Sequence, residues 1–315
     1  MTVLFFGSDA FSIPSLERVA SRFELSAVVT APDRPKGRGY RIAATPVKEW
    51  AAARDIPVLQ PERLDTPFIT HLKELAPELI VLVAYGNLLP RSLLEIPARG
   101  AVNVHPSLLP KYRGAAPMEW ALLDGERETG ITVIRMAEEL DAGAILARSV
   151  VAIEENDNLF TLRNRLMHLS PDILEQSIGM LVNGAALAAQ AGPSSYARRL
   201  RKEDGLLLWE RGAGSLHNCV RALIEWPGAF TFMETAGGVK MVKIGETSVA
   251  DNEGTHGTPG EILAADARGI AVACGKGILL LHRLQMEGKI LLSAADFLRG
   301  TPLSSGGVFR ASRLA

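Results

Sequence analysis

No run in this 315-residue chain approaches the 18 apolar residues of a membrane helix, which excludes a helical span. Its opening, Met1-Thr-Val-Leu-Phe-Phe-Gly7, lacks the basic-then-apolar layout of a secretory leader and is only strand length. A cytoplasmic location is therefore expected. Cysteine is almost absent: Cys219 and Cys274 fit no metal or redox spacing and read as buried thiols. The histidines outside the central stretch (His71, His168, His217, His256, His282) are scattered, so no metal site is expected. Net charge is −1, which excludes a globally basic nucleic-acid binder. Residues 189–315 carry 15 Lys and Arg against 12 Asp and Glu, so any such surface must be local. Also missing is a G-x-G-x-x-G turn. Val3-Leu-Phe-Phe6 runs through Gly7-Ser8 into a helical pattern without it, and no dinucleotide site is read there.

What is present alternates between strand and helix. Apolar runs at Val3-Leu-Phe-Phe6, Leu25-Ser-Ala-Val-Val-Thr30 and Leu79-Ile-Val-Leu-Val-Ala84 read as parallel strands. Thr45-Pro-Val-Lys-Glu-Trp predicts a capped helix with Pro at its first position. The central stretch is Asn103-Val-His-Pro-Ser-Leu-Leu-Pro-Lys-Tyr-Arg-Gly-Ala-Ala-Pro117, which follows the strand pattern Gly100-Ala-Val-Asn-Val. Strand alternation points Asn103 and His105 to one side, at a carboxyl end where open α/β sheets bind ligands. An amide and an imidazole aimed at one point suit a carbonyl oxygen that gains charge. A core-edge pair satisfied by backbone is the alternative. Ser107, Leu108, Leu109 and Pro110 read as an apolar loop wall. In a second strand-end loop, backbone groups around Asn87, Leu88 and Leu89 suit a flanked heterocycle. Asp141, in Leu140-Asp-Ala-Gly143, is a loop carboxylate able to orient an imidazole.

Two basic segments stand out. Pro32-Asp-Arg-Pro-Lys-Gly-Arg-Gly-Tyr-Arg41 has too much Gly and Pro for regular structure and carries Arg34, Lys36, Arg38 and Arg41. A solvated loop or a phosphate-binding arm are both open. The βα pattern gives way near residue 188. Residues 189–205 then read as a linker holding Arg198, Arg199, Arg201 and Lys202. Beyond it, short strands separated by Gly-rich turns predict a small, OB-like β-barrel. The expected fold is thus α/β: a Rossmann-like domain over 1–188, a basic linker over 189–205, and a barrel domain over 206–315.

Assembled, these pieces resemble the methionyl-tRNA formyltransferases of the folate-dependent formyltransferase superfamily over nearly the full length. The matching motifs are Ala84-Tyr-Gly86 with Leu88-Leu-Pro90, Asn103-x-His105, Ser107-Leu-Leu-Pro110, Arg113-Gly-Ala-Ala-Pro117, Glu128-Thr-Gly130 and Leu140-Asp-Ala-Gly143. Tyr196-Ala, Lys202-Glu-Asp-Gly205 and Trp226-Pro-Gly-Ala-Phe-Thr231 extend the match into the second half. The resemblance implies formyl transfer from 10-formyltetrahydrofolate, a co-substrate, to the α-amine of initiator methionyl-tRNA, with no metal. It implies catalytic roles for Asn103, His105 and Asp141, and folate contacts at 87–89 and 107–110. Arg38 matches the key arginine of the family's tRNA-engaging loop, and the barrel matches its tRNA-binding domain. A monomer is expected. The chain departs from the family's usual residues at Glu119, Glu139 and Leu208. A sugar-nucleotide N-formyltransferase and a catalytically inactive tRNA-binding homologue remain the alternatives.

Overall fold

The structure, a computed structural model, describes residues 1–36, 41–235 and 237–312. It contains two compact units, residues 1–117, 128–152 and 161–198 in the first, residues 118–127, 153–160 and 199–315 in the second. The chain opens with β1 (Thr2–Phe6), α1 (Ile13–Arg22) and β2 (Glu24–Val29). A ribbon of β3 (Arg34–Lys36) and β4 (Arg41–Ala43) leads to α2 (Pro46–Ala52), β5 (Val58–Leu59), α3 (Thr66–Glu74), β6 (Leu79–Val83) and α4 (Arg91–Leu94). Then come β7 (Ala101–His105), β8 (Arg113–Gly114), α5 (Pro117–Leu123), β9 (Glu128–Arg135), β10 (Ile145–Ala152), α6 (Leu159–Val182) and β11 (Tyr196–Ala197).

The first unit is built on a seven-stranded sheet in the order β10-β9-β7-β6-β1-β2-β5. Strands β1, β2, β5, β6 and β7 run parallel, while β9 and β10 add an antiparallel edge. β6 is buried along its whole length, and so is β1 beyond Thr2, which is why both read as unbroken apolar runs. β10, at the edge, alternates half-buried and exposed residues from Ala147 onward. The helices start where their sequences say they should. Thr45 Oγ1 accepts from Lys48 N at 3.1 Å, and Asp65 Oδ1 accepts from Phe68 N at 3.2 Å, caps worth about 1 kcal/mol each. Successive strands run from β1 outward to β2 and β5, then return to β6 and β7 on the other side. That reversal places the carboxyl ends of β1, β6 and β7 together, where this class of sheet holds ligands.

Two expectations change. Residues 32–41 are not irregular throughout, because β3 and β4 pair antiparallel with Pro35 opposite Ile42. Proline's fixed φ is compatible with an extended edge, where its missing N–H costs no ladder bond. Arg38 lies outside the described residues. The stretch 189–205 is also not one linker. Its portion to Arg198 belongs to the first unit, where β11 pairs in parallel with β8, and its remainder belongs to the second.

The second unit holds α7 (Ala213–Ala222), β12 (Ala229–Thr235), β13 (Gly238–Asp251), β14 (Ile262–Asp266), β15 (Gly269–Ala273), β16 (Ile278–Met286), β17 (Leu292–Ser293), α8 (Ala294–Gly300) and β18 (Phe309–Arg310). Its sheet is antiparallel, in the order β14-β15-β16-β13-β12-β18, with β17 on β16. The two ends of that order meet: Ile262 N donates to Gly307 O at 2.7 Å and Phe309 N to Gly260 O at 2.8 Å. The expected small barrel is therefore present as an antiparallel sheet curled until its first and last strands meet. Trp209 plugs it, stacked on Phe309 at 5.8 Å and donating its indole N–H to Thr231 Oγ1 at 2.9 Å. Such a ring pair contributes about 0.5–1.5 kcal/mol beyond the area it buries. Both cysteines are buried and free, and burial pushes the Cys219 thiol up to about 12 and Cys274 to about 11. Among the described residues no helix is long and apolar enough to cross a membrane.

Candidate active site

Asn103 and His105 close the last turn of pleat in β7, between parallel β6 and antiparallel β9. Both are buried, at 7 % and 4 % exposure. Asp141 reaches them from the loop between β9 and β10, 36 residues farther on. Its Oδ1 accepts from Asn103 Nδ2 at 3.2 Å, and its Oδ2 lies 3.7 Å from His105 Nδ1. Oδ2 also accepts from Gly114 N at 2.8 Å. His105 Nε2 stands 2.8 Å from the Tyr112 carbonyl, which can only accept, so the hydrogen is on Nε2 and Nδ1 turns to the carboxylate. The sequence placed Asn103 and His105 on one side, and so they are. It did not show that the Asn103 amide is itself tied to Asp141.

The backbone of the Asp141 loop is forced close to β9. A Cβ on Gly143 would stand 1.9 Å from the Arg135 carbonyl oxygen, so no other residue fits there without movement. Asp141 itself has φ of 50°, in the left-handed region. Gly114 is equally constrained: at φ of 114°, its Cβ would meet the Tyr196 ring at 2.7 Å.

The loop after β7 is stapled to β9 by a residue the sequence did not reveal. Thr132, fully buried, donates to Ser107 O at 2.6 Å and accepts from Leu109 N at 3.1 Å. Arg148 also donates to Leu109 O. Ser107, Leu89 and Leu109 are buried, and the two leucines sit in the core rather than lining an open wall. Apolar side chains at these turns are worth more in the core than against water. Asn87, Leu88, Leu108 and Pro110 retain exposure, with Leu88 at 58 %. Tyr85, next to them, is buried edge-on against Phe6, and burial raises its phenol above the ordinary value.

The basic residues divide. Arg34, Arg199, Arg201 and Lys202 are exposed and Arg198 is half-buried; Lys36 and Arg41 lie in the β3–β4 ribbon. The base of that ribbon is anchored by Asp33, which Lys48 Nζ meets at 2.6 Å and Gln60 Nε2 at 2.7 Å. Those two partners hold the Asp33 carboxyl below its usual range.

A surface cavity of about 290 Å³ borders the site, lined by Arg113, Glu139, Leu140, Ser194, Ser195 and Tyr196. A second, of about 320 Å³, lies at the start of β7 around Gly100, Arg135 and Glu138. Size does not decide between them. The second is at the amino end of the strand, opposite the end that carries Asn103 and His105.

Residues 3–178 match the formyl transferase family, and residues 199–302 match the formyl transferase C-terminal domain. The chain belongs to the formyl transferase family. This formyltransferase is 43 % identical over 309 residues to the methionyl-tRNA formyltransferase of Pelobacter propionicus, covering 97 % of this chain and 95 % of that protein. It is 42 % identical over 310 residues to the methionyl-tRNA formyltransferase of Geobacter sulfurreducens, covering 97 % and 96 %. Among solved structures, an N-formyltransferase from Helicobacter canadensis, in complex with folinic acid and dTDP-3-aminofucose, superposes with a TM-score of 0.65 at 17 % identity. That match covers 89 % of the formyltransferase chain and 98 % of the other, and it speaks to fold.

Proposed function

We propose that the chain transfers the formyl group of 10-formyltetrahydrofolate to the α-amine of methionyl-tRNA, acting as a monomer in the cytoplasm. The observation that carries the chemistry is the convergence of Asn103, His105 and Asp141 at the carboxyl end of β7. The acceptor is supported by likeness to methionyl-tRNA formyltransferases across both units.

In this mechanism the amine nitrogen forms a bond to the formyl carbon, and the carbonyl electrons move onto oxygen. Asn103 has a second amide N–H with no hydrogen bond among the described residues, and it donates to that oxyanion. Asp141 takes the proton that the amine sheds, directly or through one water. His105 exchanges the Tyr112 carbonyl for substrate and passes its Nε2 proton to N10 as the carbon–N10 bond breaks. As Nε2 gives up its proton, Nδ1 takes one from Asp141, which leaves the carboxylate ionised and the imidazole as its Nδ1–H tautomer; proton exchange with water then restores the Nε2–H form. Asn87, Leu88, Leu108 and Pro110 are the open residues of the two loops assigned to the folate. Arg34, Lys36, Arg38 and Arg41, with Arg198, Arg199, Arg201 and Lys202, are assigned to tRNA phosphates, which cationic side chains position without reading sequence.

The deciding experiment supplies 10-formyltetrahydrofolate with either methionyl-tRNA or an amino-sugar nucleotide. Formylmethionyl-tRNA alone is the expected product. Formylated sugar, or folate turnover with no acceptor, would overturn the assignment.

A further inference from the structure

We propose that Gln190 is a positioning residue for formyl transfer, setting where the Asp141 carboxylate stands; the proposal rests on the role given to Asp141 above. Gln190 lies in the stretch that the sequence presents as linker. That stretch instead straps the active-site loops. Ala188 and Ile145 exchange backbone hydrogen bonds at 2.7 and 3.1 Å, and Ser195 O accepts from Arg113 N at 2.9 Å. Ser195 Oγ accepts from Tyr112 N at 2.8 Å, and the Tyr112 carbonyl is the one that meets His105.

Between those two anchors, the Gln190 side chain spans the gap to the Asp141 loop. Its Oε1 accepts from Arg113 Nε at 3.2 Å and Nη2 at 2.8 Å. Its Nε2 donates to the carbonyl of Asp141 at 2.6 Å and to that of Gly143 at 2.9 Å. A guanidinium only donates and a carbonyl only accepts, so the orientation of the amide is fixed by its partners. One carbonyl belongs to Asp141 itself, whose carboxylate reaches Asn103 and His105, and the other to Gly143 two residues on; Asp141 holds a left-handed φ of 50° that a free loop would relax. Arg113 is held from the other side by Glu139 at 3.2 Å, so the bracket as a whole is Glu139, Arg113, Gln190 and the loop carbonyls. Neither Gln190 nor Arg113 hydrogen-bonds Asn103 or His105. The bracket acts through Asp141.

The test uses the full chain with Gln190→Met, which keeps length and removes the amide, and Gln190→Glu, which turns a carboxylate oxygen toward two carbonyls. Each is compared with Asp141→Asn and combined with it. A displaced carboxylate costs roughly 10–100-fold in kcat, with KM for folate and methionyl-tRNA within about threefold of wild type. Gln190→Glu should be at least as slow as Gln190→Met. On the Asp141→Asn background, Gln190→Met should add less than about threefold, because both changes act on one group. Melting temperature and KM report on folding and on binding separately from this. A kcat within threefold of wild type in both Gln190 variants, or losses that multiply fully with Asp141→Asn, would overturn the inference. A wild-type rate in Asp141→Asn would instead overturn the role of Asp141.

Discussion

Gly143→Ala is the sharpest probe of how this site is built, because the added methyl touches no substrate. Its Cβ would stand 1.9 Å from the Arg135 carbonyl oxygen and 2.9 Å from the carbonyl carbon, where ordinary contact begins at 3.4 Å. The obstacle is strand backbone rather than a side chain that can swing away, so the loop itself must retreat by about 1.5 Å. Asp141 is two residues upstream, and its contacts with Asn103 and Gly114 at 3.2 and 2.8 Å cannot survive such a shift intact. A misplacement of about 1 Å costs on the order of 10² in rate, so kcat/KM should fall about 100-fold. Overpacking of this kind costs roughly 1–3 kcal/mol, which lowers the melting temperature by roughly 2–12 °C and leaves the chain folded at 25 °C. Gly179→Ala is the matched control. That glycine sits exposed in α6 with nothing within 4 Å of its added Cβ, so the change should stabilise by about 0.5–1 kcal/mol and leave the rate alone. The assay is steady-state formylation of methionyl-tRNA alongside thermal melting. A Gly143→Ala rate within threefold of wild type would refute the reasoning, since the loop would then have relaxed without moving Asp141.

Asn103→Ala should lose about 10²–10³ in turnover as one oxyanion donor disappears, and a loss under tenfold would remove Asn103 from that role. His105→Ala should cost about 10²–10⁴ with folate binding retained; loss of folding instead would mark a core histidine. Methionyl-tRNA affinity should fall steeply with salt. With all eight assigned cations on phosphates, the slope of log K against log salt is about −6 to −7, and each Ala substitution reduces it by about 0.7–0.9. A flat profile would refute the electrostatic assignment. With the Cys219 thiol pushed up to about 12, only about one part in 10⁴ is thiolate at pH 8, so native chain should resist a thiol reagent until denatured. Rapid labelling of folded protein would contradict the burial of both cysteines.

The sequence by itself determined the alternating α/β order, the apolar strands β1 and β6, the capped start of α2, and the pair Asn103 and His105 on one side of β7. These are local matters: a two-residue alternation or a Thr-Pro cap carries its meaning within a few positions. It also offered Asp141, through motif likeness, as the third member. What only the tertiary structure decided is non-local. It brought Asp141 to Asn103, put Thr132 under the loop after β7, and turned the side chains of Leu89 and Leu109 into the core. It made a strap of the stretch around Gln190, and curled the second sheet until Ile262 met Gly307. A hydrogen bond between residues dozens of positions apart leaves no periodic trace in sequence, since a Gln or Thr has the same letter whether it faces water or fixes a carboxylate. Chemistry-bearing residue types can be read from the chain, but their placement to within a fraction of an ångström belongs to the fold.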